Sequence, residues 1–375
     1  MKRWIALLLA LVLALGLMAC ASSDGSKDTT GNETTTGEET TGGEEAASGE
    51  VTKIALLLPY TGDQSYFDVT ARGLDLLEEK YGDAVECNLI EMGTDAAGWE
   101  TANRQAAAAG YDIIISGNFE YEGAMLTVAD DYPEVKFLNF DYSDAALNSK
   151  PNVYALTYAA HEGAYLAGVV AAVKSQSGVI GVVGGMELDG IKQFMVGYMQ
   201  GALDTNPDIQ ILTGFVGNFA DTGVAKELAS NMIAQGADVV YHAAGGAGNG
   251  VFEAVSENEG VWAIGVDTDQ YVSLSGKPEL AETILTSDLK NCDQAVLAGV
   301  TAIMDGTAPF GTQVVLTLKD KGVGLAENEY YLANMTEDEL AVVEAAKEKI
   351  ISGEIVVDDQ LQDNTLFDSY IAKLS

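Results

Sequence analysis

Apolar runs recur along this chain with matching punctuation. Residues 239–244 are β-rich and unbroken enough to lie buried in a parallel sheet, and they stop at Gly245, Gly246, Gly248 and Gly250, where only bare backbone is offered. After a helical stretch a second run, 261–266, stops at Asp267. In an open α/β sheet ligands sit beyond the carboxyl ends of the strands, so a glycine turn and a carboxylate at neighbouring strand ends describe one wall of a pocket.

The opposite wall lies earlier in the chain. Gly110, Asp112, Ile113, Ile114 and Ile115, followed by Gly117, repeat the pattern of Gly236, Asp238, Val239, Val240 and Tyr241, followed by Gly245. Asp112 and Asp238 are 126 residues apart, as are Asp141 and Asp267, which close matching strands, and Lys53 and Val179, which begin them. One constant offset predicts two similar α/β units, roughly 53–141 and 179–267, joined by a crossover and enclosing a cleft.

Further elements follow from local signals. Residues 53–59 read as a buried strand, 60–65 as a turn, and the chain from there through Lys80 as a helix. Asp63 and Ser65 in that turn either cap the helix or meet a ligand. Tyr66 and Phe67 are adjacent, so one of them at most faces the cleft. Residues 151–173 give a strand, a crossover and a helix whose Gly163, Ala164, Ala167 and Gly168 allow close packing. Residues 314–318 read as the final strand, and 336–351 as a helix opened by an acidic run that suits the positive end of its dipole.

The amino terminus has a different character. Lys2 and Arg3 precede an apolar run, 4–17, too short for a stable membrane span, which predicts a signal peptide over 1–19. Leu17, Met18, Ala19 and Cys20 resemble a bacterial lipobox, so Cys20 is expected to carry the lipid that anchors the mature protein in the bilayer. Residues 20–50 are then an acidic tether of Ser, Thr, Gly, Asp and Glu, with a reach of roughly 30 Å.

A formal net charge of −38 argues against nucleic acid or an anionic lipid surface as partner. With Cys20 assigned to lipid, Cys87 and Cys292 read as two lone thiols. Neither His161 nor His242 belongs to a zinc motif, the glycine run has no lysine and serine or threonine placed for a phosphate loop, and no GxSxG elbow occurs. Asp267 and Asp269 enter a loop and so lack the shared face a cation would need. The expectation is a binder without catalytic residues, cofactor or metal.

Glu162, Gly163, Tyr165, Leu166, Ala167 and Gly168 look like the signature of the basic membrane protein family of bacterial lipoproteins, whose best understood branch comprises purine nucleoside receptors of ABC importers. Further matches run in order through Asp63, Ser65 and Tyr66 before Gly73; Gly184 and Gly185; Phe219 and Asp221; Gly236, Ala237 and Asp238; Ala244 and Gly245; Gly265, Asp267, Asp269 and Gln270; and Thr286, Ser287 and Lys290. The resemblance implies a type I periplasmic-binding-protein fold, two doubly wound α/β lobes about a ligand cleft. It divides the chain into 51–159 plus 270–308 and 160–269 plus 309–375, with recrossings near 267–270 and 306–311. It implies a base held between Tyr66 and Phe219, Asp141 on the base, and Asp267, Lys290 and the Gly245 backbone on the sugar, with Asp63 and Ser65 contributing. Rings stack, a carboxylate accepts from neighbouring hydroxyls, and a lysine donates to sugar oxygens, so the set suits a neutral, ring-bearing polyol.

Two positions depart from the family pattern: Phe67 where asparagine is usual, and Gln64 where a basic residue is usual. One hydrogen bond to the base or the sugar is then either missing or supplied by another group, such as Asn118 or Asp68. The expected function is nucleoside capture, purine foremost, on the extracytoplasmic face of the cell membrane and delivery to an ABC permease. The alternatives are a sugar or autoinducer-like ligand, or a surface or sensory lipoprotein uncoupled from import. A nucleoside hydrolase is disfavoured for want of clustered carboxylates and a metal motif.

Overall fold

The structure, a computed structural model, describes residues 51–121 and 123–374. The signal peptide, Cys20 and tether lie outside the described residues. Among the described residues twelve strands form two six-stranded sheets. The first contains β1 (Thr52–Leu58), β2 (Val85–Glu91), β3 (Ile113–Ser116), β4 (Lys136–Asn139), β5 (Val153–Tyr158) and β11 (Thr312–Leu316), in the order β11-β5-β4-β3-β1-β2. The second contains β6 (Val179–Gly184), β7 (Gln210–Phe215), β8 (Val239–Ala243), β9 (Trp262–Asp267), β10 (Ile284–Lys290) and β12 (Val323–Leu325), in the order β12-β10-β9-β8-β6-β7. The two orders correspond strand for strand. All pairings are parallel except β10 with β12.

The repeat reaches individual hydrogen bonds. Asp112 N donates to Lys53 O and Asp238 N to Val179 O, while Lys136 N donates to Asp112 O and Trp262 N to Asp238 O. Each second member lies 126 residues beyond the first. The aspartate at the head of β3 and of β8 therefore seats its strand against the first strand of its own sheet.

The allocation of chain to lobes differs from the sequence expectation in two places. β10, expected with the first lobe, pairs with β9 of the second sheet; β11, expected with the second lobe, pairs with β5 of the first. The recrossings accordingly fall after Lys290 and at 317–322, not near 267–270 and 306–311. The expected final strand is β11, and β12 follows it. The crossing segments are tied together: Ala159 N donates to Leu316 O, Asn291 N to Gly322 O, and Leu318 N to Glu162 Oε2 at 2.7 Å. Glu162 of the family-like signature thus braces the hinge.

Packed against the second sheet, the helix Ala160–Lys174 is buried on nearly every side, as a helix apolar all round should be. It crosses the helix Asp189–Thr205 at a distance only glycine permits. A methyl at Gly168 would stand 2.1 Å from Tyr198 O, one at Gly197 2.2 Å from His161 O, and one at Gly201 2.0 Å from Tyr165 O. The close packing expected of this segment is present, and it fixes His161 beside the first turns of the second helix. The helix Glu337–Ser352 opens with a capping box between Thr336 and Glu339. Cys87 and Cys292 are free thiols.

Candidate ligand-binding site

The carboxyl ends of the two sheets face one cavity of ≈ 280 Å³, just below the roughly 300–1,000 Å³ typical of small-molecule sites. From the first lobe come Tyr66, Phe119 and Asp141; from the second, Phe219, Gly245, Asp267 and Lys290.

Asp141 lies just past β4, where its own N–H and that of Tyr142 both donate to Gly117 O. Gly117 has φ +92, and a Cβ there would collide with Asn139 Oδ1 at 2.1 Å, so glycine alone fits this turn. Oδ2 of Asp141 accepts from Lys290 Nζ at 2.8 Å and from Tyr66 OH at 3.1 Å. Lys290 ends β10 and is buried, with its ammonium 5.0–5.3 Å from the ring centres of Phe194, Tyr66 and Tyr158. The helix that follows begins only at Cys292.

Asp267 ends β9 with φ +66, a left-handed conformation that costs a non-glycine residue about 1–3 kcal/mol unless its surroundings enforce it. Gln270, fully buried, enforces it: its Oε1 accepts from Val266 N at 2.8 Å and from His242 Nε2 at 3.0 Å, and its backbone N–H donates to Ser287 Oγ. Asp267 Oδ2 accepts from Ser65 Oγ at 2.6 Å, a bond from one lobe to the other. Among the described residues neither Oδ1 of Asp141 nor Oδ1 of Asp267 has a hydrogen-bond partner, so each carboxylate keeps an acceptor for a ligand.

The electrostatics follow from burial. Removal from water pushes the Asp267 carboxyl from 3.8 up to about 6, with Lys290 and the Ser65 hydroxyl pulling it back and Asp63 and Asp141 adding to the rise. Burial by itself would lower the Lys290 ammonium, but Asp141 and Asp267 more than offset it and hold it charged, above its ordinary value. Asp288, on the same strand, is pushed far up by burial despite a bond from Tyr241 OH at 2.8 Å. Burial brings His242 down to about 4, leaving it neutral.

Of the expected ligand residues, Tyr66, Asp141, Phe219, Gly245, Asp267 and Lys290 line the cavity. Asp63 does not. Its carboxylate accepts from Ser65 N, Phe67 N and Asp68 N, so it caps the helix Tyr66–Tyr81. Ser65 is also outside the lining, and as the N-cap residue it does not cap: its hydroxyl is spent on Asp267. The expected pair of rings, Tyr66 and Phe219, is joined by a third. Phe119 contacts both edge-on, with centroids 5.1 Å from Tyr66 and 5.3 Å from Phe219. Phe67 packs away from the cavity against Tyr60. Asp68 does not replace the absent asparagine, since its carboxylate accepts from Gly62 N and Gln64 N; Asn118 Oδ1 accepts from Glu120 N, while its buried Nδ2 has no partner among the described residues.

Sequence reasoning missed Phe119 and a polar cluster in the same lining formed by His161, Gln193 and Asp359. Phe119 follows the glycine turn after β3, which was a usable signal. Asp359 comes from the distant carboxyl-terminal stretch and carries no local mark.

Two matched, doubly wound sheets joined by three crossings, with a polar cavity between their carboxyl ends, define a type I periplasmic solute-binding protein. Comparison with known proteins narrows the class. The family model for PnrA-like ABC transporter substrate-binding proteins matches residues 51–361, and the chain belongs to that family. It is 31% identical over 96% of its length to the CD4+ T-cell-stimulating antigen of Listeria monocytogenes, covering 99% of that protein. It is 36% identical over 70% of its length to the ABC transporter nucleoside-binding protein BmpA of Lactococcus lactis, covering 75% of it. Among solved structures it resembles ABC transporter solute-binding proteins from Aeropyrum pernix, with a TM-score of 0.72 and 28% identity, over 87% of this chain and 97% of that one.

Proposed function

We propose that this substrate-binding protein captures a nucleoside, purine foremost, at the extracytoplasmic face of the membrane, where Cys20 anchors it by lipid, and passes it to an ABC permease without chemical turnover. The observation that carries the reading is the pairing, in one cavity, of two buried carboxylates that each keep a free oxygen with an ammonium and the rings of Tyr66, Phe119 and Phe219. Free carboxylate oxygens take sugar hydroxyls, and rings take the faces of a flat base. The nucleoside-binding relative from Lactococcus lactis supports the same ligand class.

The test is calorimetric titration of the chain from Glu50 onward, refolded free of carried-over ligand, with inosine, guanosine, adenosine, cytidine and ribose. One-to-one binding of the purine nucleosides, intact on recovery and lost in Asp267→Ala, is the expected result. Binding of ribose alone, or of none of the five, would overturn it. Labelling of cells with a palmitate analogue, absent in Cys20→Ser, tests the anchor separately.

A further inference from the structure

Phe194, whose ring stands 5.0 Å from the Lys290 ammonium, shares the cavity lining with a second polar group, His161, Gln193 and Asp359. The Gln193 amide donates twice, to His161 Nδ1 at 3.1 Å and to Asp359 Oδ1 at 2.7 Å. An imidazole that accepts at Nδ1 carries its proton on Nε2. Burial lowers the His161 pKa against the pull of Asp359, which agrees with that neutral form. Among the described residues neither His161 Nε2 nor Asp359 Oδ2 has a hydrogen-bond partner, although His161 is only 9% exposed and Gln193 4%. This part of the lining therefore presents one N–H donor and one carboxylate acceptor, both held in place by a single amide.

The carboxyl-terminal stretch that delivers Asp359 is fastened along the helix Asp189–Thr205. Asp358 N donates to Gln200 Oε1 at 2.7 Å, and Tyr370 OH to Asp358 Oδ2 at 2.8 Å. Gln360, fully buried, donates to Asp189 Oδ1 and to Asn364 O and accepts from Phe367 N. Leu361 N donates to Asp359 Oδ1. Asp359 thus sits in a pre-set position.

We propose that His161, Gln193 and Asp359 form a second polar subsite that receives a hydroxyl at the end of the ligand, accepting its proton at Asp359 Oδ2 and donating to its oxygen from His161 Nε2. A hydroxyl is the neutral group that can do both. This rests on the nucleoside reading: with the vicinal ribose hydroxyls at Asp267, the hydroxyl left over is the 5′ one, so the subsite selects a free 5′-hydroxyl. A 5′-phosphate has no proton for Asp359 at neutral pH and meets its negative charge, so the same residues exclude nucleotides.

Titration of the wild type, Asp359→Ala and Asp359→Asn with inosine, 5′-deoxyinosine and inosine 5′-monophosphate tests this, with thermal melts to establish that each variant folds. The wild type should bind 5′-deoxyinosine about tenfold more weakly than inosine, as expected for a polar pair, His161 buried and Asp359 partly so, left unmatched. Asp359→Ala should bind those two ligands alike, near the wild type's level for the deoxy compound. Monophosphate binding should be undetectable in the wild type and gained in Asp359→Asn. Equal loss of both nucleosides in Asp359→Ala, or no 5′ discrimination by the wild type, overturns the subsite and leaves the nucleoside reading standing. Failure of the wild type to bind inosine at all overturns both.

Discussion

Lys290 and Asp141 meet across the cleft, Nζ to Oδ2 at 2.8 Å, with 7% and 8% of their side chains exposed. One belongs to the last residue of β10 and the other to the turn after β4, so the ion pair joins the two lobes as well as lining the cavity. Removing one member of a buried pair leaves an uncompensated charge, at a cost of about 3–5 kcal/mol. Lys290→Met should therefore lower the urea midpoint sharply, since both Asp141 and Asp267 lose their counter-ion. Asp141→Asn combined with Lys290→Met should recover part of that loss. Strictly additive effects would show that the two side chains do not act as a pair.

The bond from Ser65 to Asp267 also spans the lobes and contributes nothing to the helix that Ser65 begins, because Asp63 does the capping. A hydrogen bond to a charged group is worth about 1.5–3 kcal/mol. Ser65→Ala should shift the ligand-free protein toward an open form, visible as a larger radius of gyration in small-angle scattering that returns to the wild-type value when ligand is added. Superimposable ligand-free scattering curves would mean that this contact does not hold the lobes together.

The strands that face the site were legible because their apolar runs are long and end abruptly at Gly117, Asp141, Gly245 and Asp267. β10 was not legible. Its sequence, ILTSDLK, is half polar yet nearly all buried, because each polar side chain is engaged elsewhere in the fold. Thr286 Oγ1 donates to Ala326 O, Ser287 Oγ accepts from Gln270 N, Asp288 accepts from Tyr241, and Lys290 reaches Asp141. No hydrophobic period survives in such a strand, so nothing in its own sequence corrected the lobe division that the resemblance implied. Asp359 was hidden for another reason: its place depends on where a long carboxyl-terminal path returns, which only tertiary packing decides.

The crossing of Ala160–Lys174 with Asp189–Thr205 predicts a sharp intolerance. A methyl at Gly201 would press on the Tyr165 carbonyl, which is backbone and cannot swing aside. Gly201→Ala should cost about 1–3 kcal/mol or more, as overpacking does in a close-packed interior. Because these helices also carry His161 and Gln193, inosine affinity should fall with it. A thermal melt unchanged from the wild type would mean that the two helices can separate without penalty.

Phe119 contacts Tyr66 and Phe219 together, so it is either the back wall of the base slot or a ring that ligand must displace. Its edge-on geometry to both neighbours fits a wall. Phe119→Ala should then weaken purine nucleosides by about 0.5–1.5 kcal/mol beyond the apolar area lost, with little effect on ribose. Tighter nucleoside binding in the variant would identify the ring as an obstruction.

Asp267 makes binding depend on pH in a definite direction. Its carboxyl, pushed up to about 6 by burial, is partly protonated in mildly acidic solution. A ligand hydroxyl that donates to it favours the ionised form, so binding must expel a proton below that value. Affinity should be level above neutrality and fall below pH 6, approaching about tenfold per pH unit for one linked proton. Calorimetry near pH 6 in buffers of different ionisation enthalpy should register the released proton, and Asp267→Asn should release none. Stability without ligand runs the other way. The folded chain holds this proton more tightly than the unfolded chain, whose carboxyl titrates near 3.8, so the contribution of Asp267 is greatest below that value and declines as pH rises through 6. The unfolding free energy of the wild type minus that of Asp267→Asn should accordingly decrease from pH 4 to pH 7. A difference that stays flat across the range would place the charge of Asp267 in a solvated setting, contrary to its burial in the closed cleft.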